Sequence, residues 1–432
     1  MEIYVVRPGD TVYRIARRYG VPVSQILIDN QISQPEHLVV GQALVVQMPR
    51  QTHTVAPGDT LAAIARQHGI TLRQLYRNNP ILGGEELIYL GQTLVIAYEG
   101  TPKDTLSVNG YAYPYIDKDL LTATVPYLTD LTPFTYEFDE QGELTDLQDQ
   151  VLIAMAEQGG AAPIMHLSNL TDQGFSTRLA SLALGDEAVQ QRILRQTADI
   201  LAQRGYRGLD VDFENVARED AQAYAAFLEQ CRQLLAPGMP LVAALAPKTF
   251  AGQPGLLFEG HDYKAIGQAV DQVLLMTYEW GYAGGPPMAI APLPNVRQVV
   301  EYALTEIPAR KIWLGVPNYG YDWPLPYVAG QSRARSLSSQ QAVALARRYG
   351  AAIQYDSQAQ APWFRYTDDQ GRQHEVWFED ARSIQAKLAL VPQYGLWGVG
   401  YWNLMREFPQ NWRVLNGLYH IREREDQSSS SM

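Results

Sequence analysis

Cysteine is almost absent: Cys231 is the single one in 432 residues, which excludes an intrachain disulfide framework. It sits in AYAAFLEQCRQLL, an amphipathic helical pattern, and is expected to be a buried, inert thiol. Long apolar runs are missing as well. No stretch reaches the roughly 18 residues that a membrane span needs. The first twenty residues also lack the basic-then-apolar order of a Sec-type signal, so the expectation is synthesis in a cytosol and export, if any, by another route. Basic charge is short: 34 Lys and Arg against 46 Asp and Glu leave a net charge of -12. That balance argues against nucleic acid or an anionic membrane as the main partner. The seven histidines are scattered, with no H-x-x-x-H pair, so no metal centre is expected. No glycine-rich loop stands in the strand-to-helix context of a phosphate cradle, and no cofactor is expected.

Aromatics are plentiful, with 26 Tyr and 8 Trp. Such rings suit stacking on sugar C–H faces and equally suit cores. The length is too great for one ordinary core and implies two to four domains. The first hundred residues contain an internal repeat: Tyr4 to Asn30 aligns with His53 to Asn79 at an offset of 49. Each copy reads as a strand, a PGDT turn, two helices, a loop and a closing strand. Asp10 and Asp59 are expected to cap the first helices, whose apolar faces are Val12/Ile15/Ala16 and Leu61/Ile64/Ala65. Gly20 and Gly69 fall where a C′ glycine is wanted.

Beyond a short linker after Tyr98, apolar strands alternate with amphipathic helices, as a parallel sheet requires. The strands are expected at 106–113, 128–138, 162–169, 208–216, 241–248, 272–280, 311–323 and 396–404. Eight strands over about 320 residues predict an α/β fold, a (β/α)8 barrel. The expected division is 1–48 and 51–98 for the two repeats, 99–424 for the barrel with an insertion at about 335–375, and a disordered tail at 425–432.

Within the fourth strand, Asp210, Asp212 and Glu214 alternate with Leu209, Val211 and Phe213. Period-2 alternation puts three carboxylates on one face of an otherwise apolar strand. Like charges held that close raise the pKa of at least one of them, which costs stability but suits a glycosidase acid. An acidic strand end facing water, or a cation site, is the other reading of such a cluster.

The repeats resemble LysM modules, in the V-x-x-G-D-T start, the I-A helix and the G-Q-x-L end. That resemblance implies two βααβ units binding N-acetylglucosamine-containing glycans. The groove would lie between Gly9, Asp10, Thr11 and Ile32 in the first copy. In the second it would lie between Gly58, Asp59, Thr60 and Pro80, Ile81, Leu82. The strand from Gly208 to Glu214, MTYEW at 276–280 and LGVPNYGYDW at 314–323 resemble three motifs of glycoside hydrolase family 18. Arg207 stands where that family has a leading Asp, at a position read as deep in the strand, and Glu279 replaces the usual Asp or Asn.

The resemblance implies a hydrolase in which the substrate's own 2-acetamido group is the nucleophile, so no second carboxylate is needed. Glu214 would be the general acid. Asp212 would hold the acetamido N–H, Asp210 would share a proton with Asp212, and Tyr278 would hydrogen-bond the acetamido oxygen. Trp402 is expected under the reacting sugar, and Glu279, Tyr111, Asn318, Tyr319 and Trp280 around it. His166 reads as a core histidine before a functional one. Two such modules ahead of this barrel, the missing signal and the sequence MTYEWGY…GPPMAIAP at 276–292 together resemble the spore cortex-lytic N-acetylglucosaminidases of endospore-forming bacteria. By implication the partner is cortex peptidoglycan or another N-acetylglucosamine-containing glycan, the location is the spore, and the protein is a monomer. A chitinase of the same family, or a carbohydrate-binding spore coat protein with an inactive barrel, are the alternatives.

Overall fold

The computed structural model describes residues 1–100, 102 and 104–423; the expected tail at 425–432 lies outside the described residues. The two repeats fold alike. In the first, Glu2–Val5 pairs antiparallel with Ala43–Val46 around the helices Val12–Tyr19 and Val23–Asp29. In the second, Pro49–Thr54 pairs with Thr93–Tyr98 around Leu61–His68 and Leu72–Asn78. The N-caps are Thr11 and Thr60, whose hydroxyls accept from Arg14 N and Ala63 N, each at 3.2 Å. Asp10 and Asp59 were expected in that role. They instead tie the preceding turn, accepting from Arg7 N at 2.7 Å and Ala56 N at 2.8 Å. Gly20 and Gly69 end the first helices at φ 68° and 67°, a left-handed conformation that glycine adopts without a Cβ penalty.

The rest of the chain is a (β/α)8 barrel. Its strands are β1 (Asp104–Ala112), β2 (Asp130–Pro133), β3 (Met165–Ser168), β4 (Leu209–Asp212), β5 (Leu241–Leu245), β6 (Gln272–Leu275), β7 (Ile312–Pro317) and β8 (Gly398–Trp402). All neighbours are parallel, β8 pairs β1, and Ala162–Pro163, just ahead of β3, closes the ring against β2. Strands buried on both faces read as near-continuous apolar runs, which is why polar residues at their ends are informative.

The segment read as one strand over 311–323 is two. β7 stops at Pro317, and Gly320–Pro324 turns away to join a five-stranded antiparallel sheet with Arg335–Leu337, Gln354–Asp356, Ala361–Thr367 and Gln373–Trp377. That sheet, covered by the helix Ser339–Arg348, is the insertion between β7 and β8. It therefore begins earlier than residue 335.

Both small modules are docked on the barrel. Gln410, on the helix Pro409–Leu418, donates to Asn30 Oδ1 (2.9 Å) and Ala43 O (2.8 Å) of the first module. Val39 is buried with Leu337, Ile353 and Phe364 of the insertion, and Ile353 N donates to Val40 O at 2.9 Å. A Cβ on Gly41 would stand 1.9 Å from Ile353 O, so glycine alone allows this approach. In the second module Arg73 donates to Gly160 O (2.7 Å) and to Leu128 O, and Arg77 donates to Pro126 O (3.0 Å). These carbonyls precede β2 and β3, at the end of the barrel opposite the strands' C-termini.

Candidate active site

The helix Glu187–Arg204 begins on Asp186, whose carboxylate accepts from Ala188 N (2.9 Å) and Val189 N (3.2 Å), and stops at Gly205. The chain then runs straight into β4. Phe213 stacks on Tyr224 and Phe227 of the covering helix Ala221–Leu234. Alternation from that apolar face turns Asp210 and Asp212 inward at the barrel mouth, with Glu214 two residues past the ladder. Arg207, by contrast, is exposed beside Glu157 at 3.7 Å. It was read as deep in the strand; it lies before β4 begins, at the far end of the barrel from the three carboxyls.

Asp210 is fully buried, and its Oδ2 accepts from the Tyr111 hydroxyl at 2.6 Å. Burial pushes its carboxyl up to about 7. Asp212 is 5 % exposed. It is held well above the ordinary carboxylate range by burial first, then by the charges of Glu214 and Asp210. Glu214 is half-buried and pushed up to about 7 by burial. Three such groups cannot all ionise together, so the cluster retains protons at neutral pH. The backbone of Glu214 is clamped by one side chain: Asn169 Nδ2 donates to its carbonyl at 2.8 Å, and its N–H donates to Asn169 Oδ1 at 3.0 Å.

Tyr278, beyond β6, is buried, and its phenol is raised well above its usual value by burial and by Asp212, Glu214, Glu279 and Asp210 in turn. Glu279 adopts φ 61°, uncommon for a residue with a side chain. Such a conformation costs on the order of 1–3 kcal/mol and persists only where surroundings hold it. Here the hydroxyl of Tyr319 and that of Tyr321 (3.0 Å) both donate to its Oε1. Trp402 ends β8, half-buried, with its ring 4.7 Å from Phe134 and 5.9 Å from Tyr111. Tyr113 lies 6.2 Å from Trp402 and stacks on Tyr115 at 5.3 Å and 25°. Tyr115 is 76 % exposed, so one aromatic strip runs outward across the barrel mouth from the C-terminal ends of β8 and β1.

Three residues expected around the sugar are placed otherwise. Tyr111 is buried beneath Asp210. Asn318 spends both amide hydrogens on Asn403 O and Arg406 O, each at 2.9 Å, bracing the loop after β8. Tyr319 is buried behind Glu279. Polar residues at strand ends look alike in sequence whether they face the mouth or support a neighbour. Trp280 is half-buried against the core with its indole N–H unpartnered, and Tyr282 lays its ring over Gly284 and Gly285 at the rim. Sequence reasoning missed Asn169, Thr135, Tyr113 and Tyr115. The run Tyr113-Pro114-Tyr115 at a strand's C-terminal end was the available signal.

In the small modules, Gly9, Thr11, Gly58 and Thr60 are exposed, and Asp10 and Asp59 are half-buried. Asp10 also accepts from the Tyr4 hydroxyl at 2.7 Å, and Asp59 Oδ2 lies 2.8 Å from His53 Nε2. Ile32 and Leu82, expected on a groove wall, are core residues of their modules. Pro80 is half-buried, and Ile81 is 65 % exposed. Among the described residues no group of three His, Cys, Asp or Glu could hold a metal ion, and no helix is long and apolar enough to cross a membrane.

The description "Glycosyl hydrolases family 18" matches residues 166–407, and "LysM domain" matches 4–47 and 53–97. Over 428 residues the chain is 46 % identical to the cortical fragment-lytic enzyme of Bacillus subtilis (strain 168), covering 98 % of this chain and 99 % of that one. The crystal structure of the Bacillus cereus spore cortex-lytic enzyme SleL is similar with a TM-score of 0.83 at 40 % identity, over 98 % of each chain. A chitinase from Chromobacterium violaceum covers 72 % of this chain and 98 % of its own, at TM-score 0.66 and 26 % identity.

Proposed function

The chain belongs to the glycosyl hydrolases family 18 and is a glycoside hydrolase with two LysM modules, and from that premise we propose a retaining, substrate-assisted, endo-acting N-acetylglucosaminidase that cuts spore cortex peptidoglycan during germination. The observation that carries the chemistry is Glu214, kept protonated up to about 7 by burial beside two carboxyls that cannot both ionise. A general acid needs its proton at the working pH, and this environment supplies that.

Glu214 protonates the leaving glycosidic oxygen. The acetamido oxygen of the sugar over Trp402 attacks the anomeric carbon, giving an oxazolinium ion with retention. Asp212 holds the acetamido N–H and faces the positive charge, while Asp210, anchored by Tyr111, takes up the shared proton. Tyr278 donates to the acetamido oxygen. Water, deprotonated by Glu214, then opens the ring and restores the acid. A sugar that supplies its own nucleophile must carry a free 2-acetamido group, so N-acetylglucosamine stands on the non-reducing side of the cut. A muramic lactam, its amine tied up, or a muramic acid stands beyond it.

The LysM modules hold the insoluble polymer and raise the local concentration of the barrel through two weak sites. The full-length match to cortex enzymes favours this substrate and a spore location. The likeness to a chitinase barrel supports chitin as the second reading. Mass spectrometry of products from cortex fragments and from chitin oligomers tests both. Cortex fragments ending in reducing N-acetylglucosamine, with chitin untouched, are expected; cleavage of chitin alone would overturn the assignment. Glu214→Gln is expected to lower turnover by at least about 1,000-fold with glycan binding retained.

A further inference from the structure

One imidazole sits among the carboxyls with a nitrogen unaccounted for. His166, on β3, is fully buried. Its Nδ1 lies 2.6 Å from Thr135 Oγ1, and that hydroxyl lies 3.0 Å from Ser168 Oγ. Its Nε2 has no hydrogen-bond partner and faces Asp212 Oδ2 at 3.6 Å and Asp210 Oδ2 at 4.0 Å. One oxygen on each aspartate, Oδ1 in both, is likewise buried without a partner. The ring is fixed from the sides: Phe134 packs at 4.7 Å and Tyr111 meets it edge-on at 5.6 Å. The groups that face it are thus Tyr111 from β1, Thr135 and Phe134 past β2, Ser168 from its own strand, and Asp210 and Asp212 from β4. No cation is among them, and burial holds the imidazole neutral down to about 3.

We propose that His166 is a positioning residue for the acid pair. In this arrangement Thr135 accepts from Ser168 and gives its one hydrogen to Nδ1, which keeps the ring hydrogen on Nε2, where it is offered to Asp212 Oδ2 and Asp210 Oδ2 and decides where the pair's single negative charge rests. The inference rests on the catalytic reading of Asp210, Asp212 and Glu214 above. A neutral donor suits this place better than a cation. A Lys or Arg there would favour ionisation of both aspartates and of Glu214, stripping the acid of its proton. A neutral N–H stabilises one charge and leaves the second carboxyl protonated. Protons balance throughout: when Asp212 turns towards Glu214 and the sugar, its proton passes to Asp210, and the Nε2–H stays on His166. Contacts of 3.6 and 4.0 Å are long for hydrogen bonds, as is common before substrate closes a site.

The test uses the full chain with 15N-labelled histidine, the His166 signal being identified by its loss in His166→Gln. The expected spectrum is a neutral ring with hydrogen on Nε2, unchanged between pH 4.5 and 8. Hydrogen on Nδ1, or an imidazolium in that range, would overturn the proposal. In parallel, His166→Leu should lower kcat on soluble N-acetylated oligomers about ten- to a hundred-fold, the usual loss for a hydrogen bond to a charged group. KM should hold within about two-fold, because the ring touches no sugar. The acid limb of the kcat profile should move to higher pH, and His166→Gln, which restores a neutral donor, should recover most of the rate. A folded His166→Leu with an unmoved acid limb makes His166 a core filler and ends the idea. If that variant does not fold, the tautomer measurement decides alone. If the wild type cuts no N-acetylated glycan, the functional reading fails while the tautomer still reports on His166.

Discussion

Glu214 loses stability for the molecule wherever it makes catalysis possible. Its folded pKa, about 7, lies above the usual 4.5, so between those values the unfolded chain has released a proton that the native state retains. Stability therefore falls as pH rises through that window and is fully present below it. Glu214→Gln removes the penalty. The variant is expected to be more stable than the wild type at pH 8, by on the order of 1–3 kcal/mol, with a higher melting temperature there that converges with the wild type's below about pH 4.5. Thermal melts of the two proteins across pH would show it, and parallel curves would mean the side chain is not raised. The same titration sets an upper limit on activity. The rate of the wild type should decline as pH passes about 7, the point at which the acid loses its proton.

Elements differed sharply in how much of them could be read beforehand. The β4 alternation and the eight-strand count were legible because period-2 patterns leave a direct trace, whereas MTYEW, just past β6, was read from its likeness to a family motif. The boundary between β7 and Gly320–Pro324 was not, since Asn318 and Tyr319 interrupt nothing that periodicity can register. The helix caps were misassigned for a similar reason: in PGDT, Asp and Thr are both good cap residues, and only the backbone decides that Thr occupies the cap. Tyr111, Asn318 and Tyr319 were expected around the sugar and not as supports, because support is a matter of which neighbour a hydroxyl or amide reaches. The strip Trp402–Tyr113–Tyr115 went unread because its members come from two strands distant in sequence. On the glycosidase reading, an exposed ring in line with the sugar platform stacks on a distal unit of the chain. Tyr115→Ala should raise KM for long oligomers several-fold while leaving the shortest cleavable substrate unaffected, and equal KM changes at every length would count against stacking there.

At the scale of the whole molecule, the modules are not beads on a string. Arg413 NH1 donates to Arg77 O at 2.8 Å, Gln410 grips the first module, and Val39 is shared with the insertion's core. Calorimetry of the full chain should give one cooperative transition. Gly41→Val forces a side chain into Ile353 O and should undock the first module, splitting the transition or lowering its midpoint by about 3 °C or more. A single unchanged transition would show the contact to be dispensable. Removing residues 1–98 would uncover Gln410, Arg413 and the apolar cluster of Leu337, Ile353 and Phe364 that Val39 joins, as well as deleting the modules. A truncated protein would therefore report stability and binding together. On the proposed glycan-binding role of the modules, substituting the exposed Ile81 alone would test binding without disturbing the docking contacts.

Arg73 and Arg77 fasten the second module to carbonyls at the floor of the barrel, while the carboxyls open at its roof. A flexible tether would let the blade roam over whatever lay within reach of its leash. Here the handle and the blade are one casting. On the proposed function, a glycan gripped by that module would be held at a point fixed relative to the mouth, so the strand held and the stretch cut would be separated by a fixed offset. The geometry of a meshwork, its spacing and thickness, would then govern how fast it is dismantled, alongside the chemistry of its links.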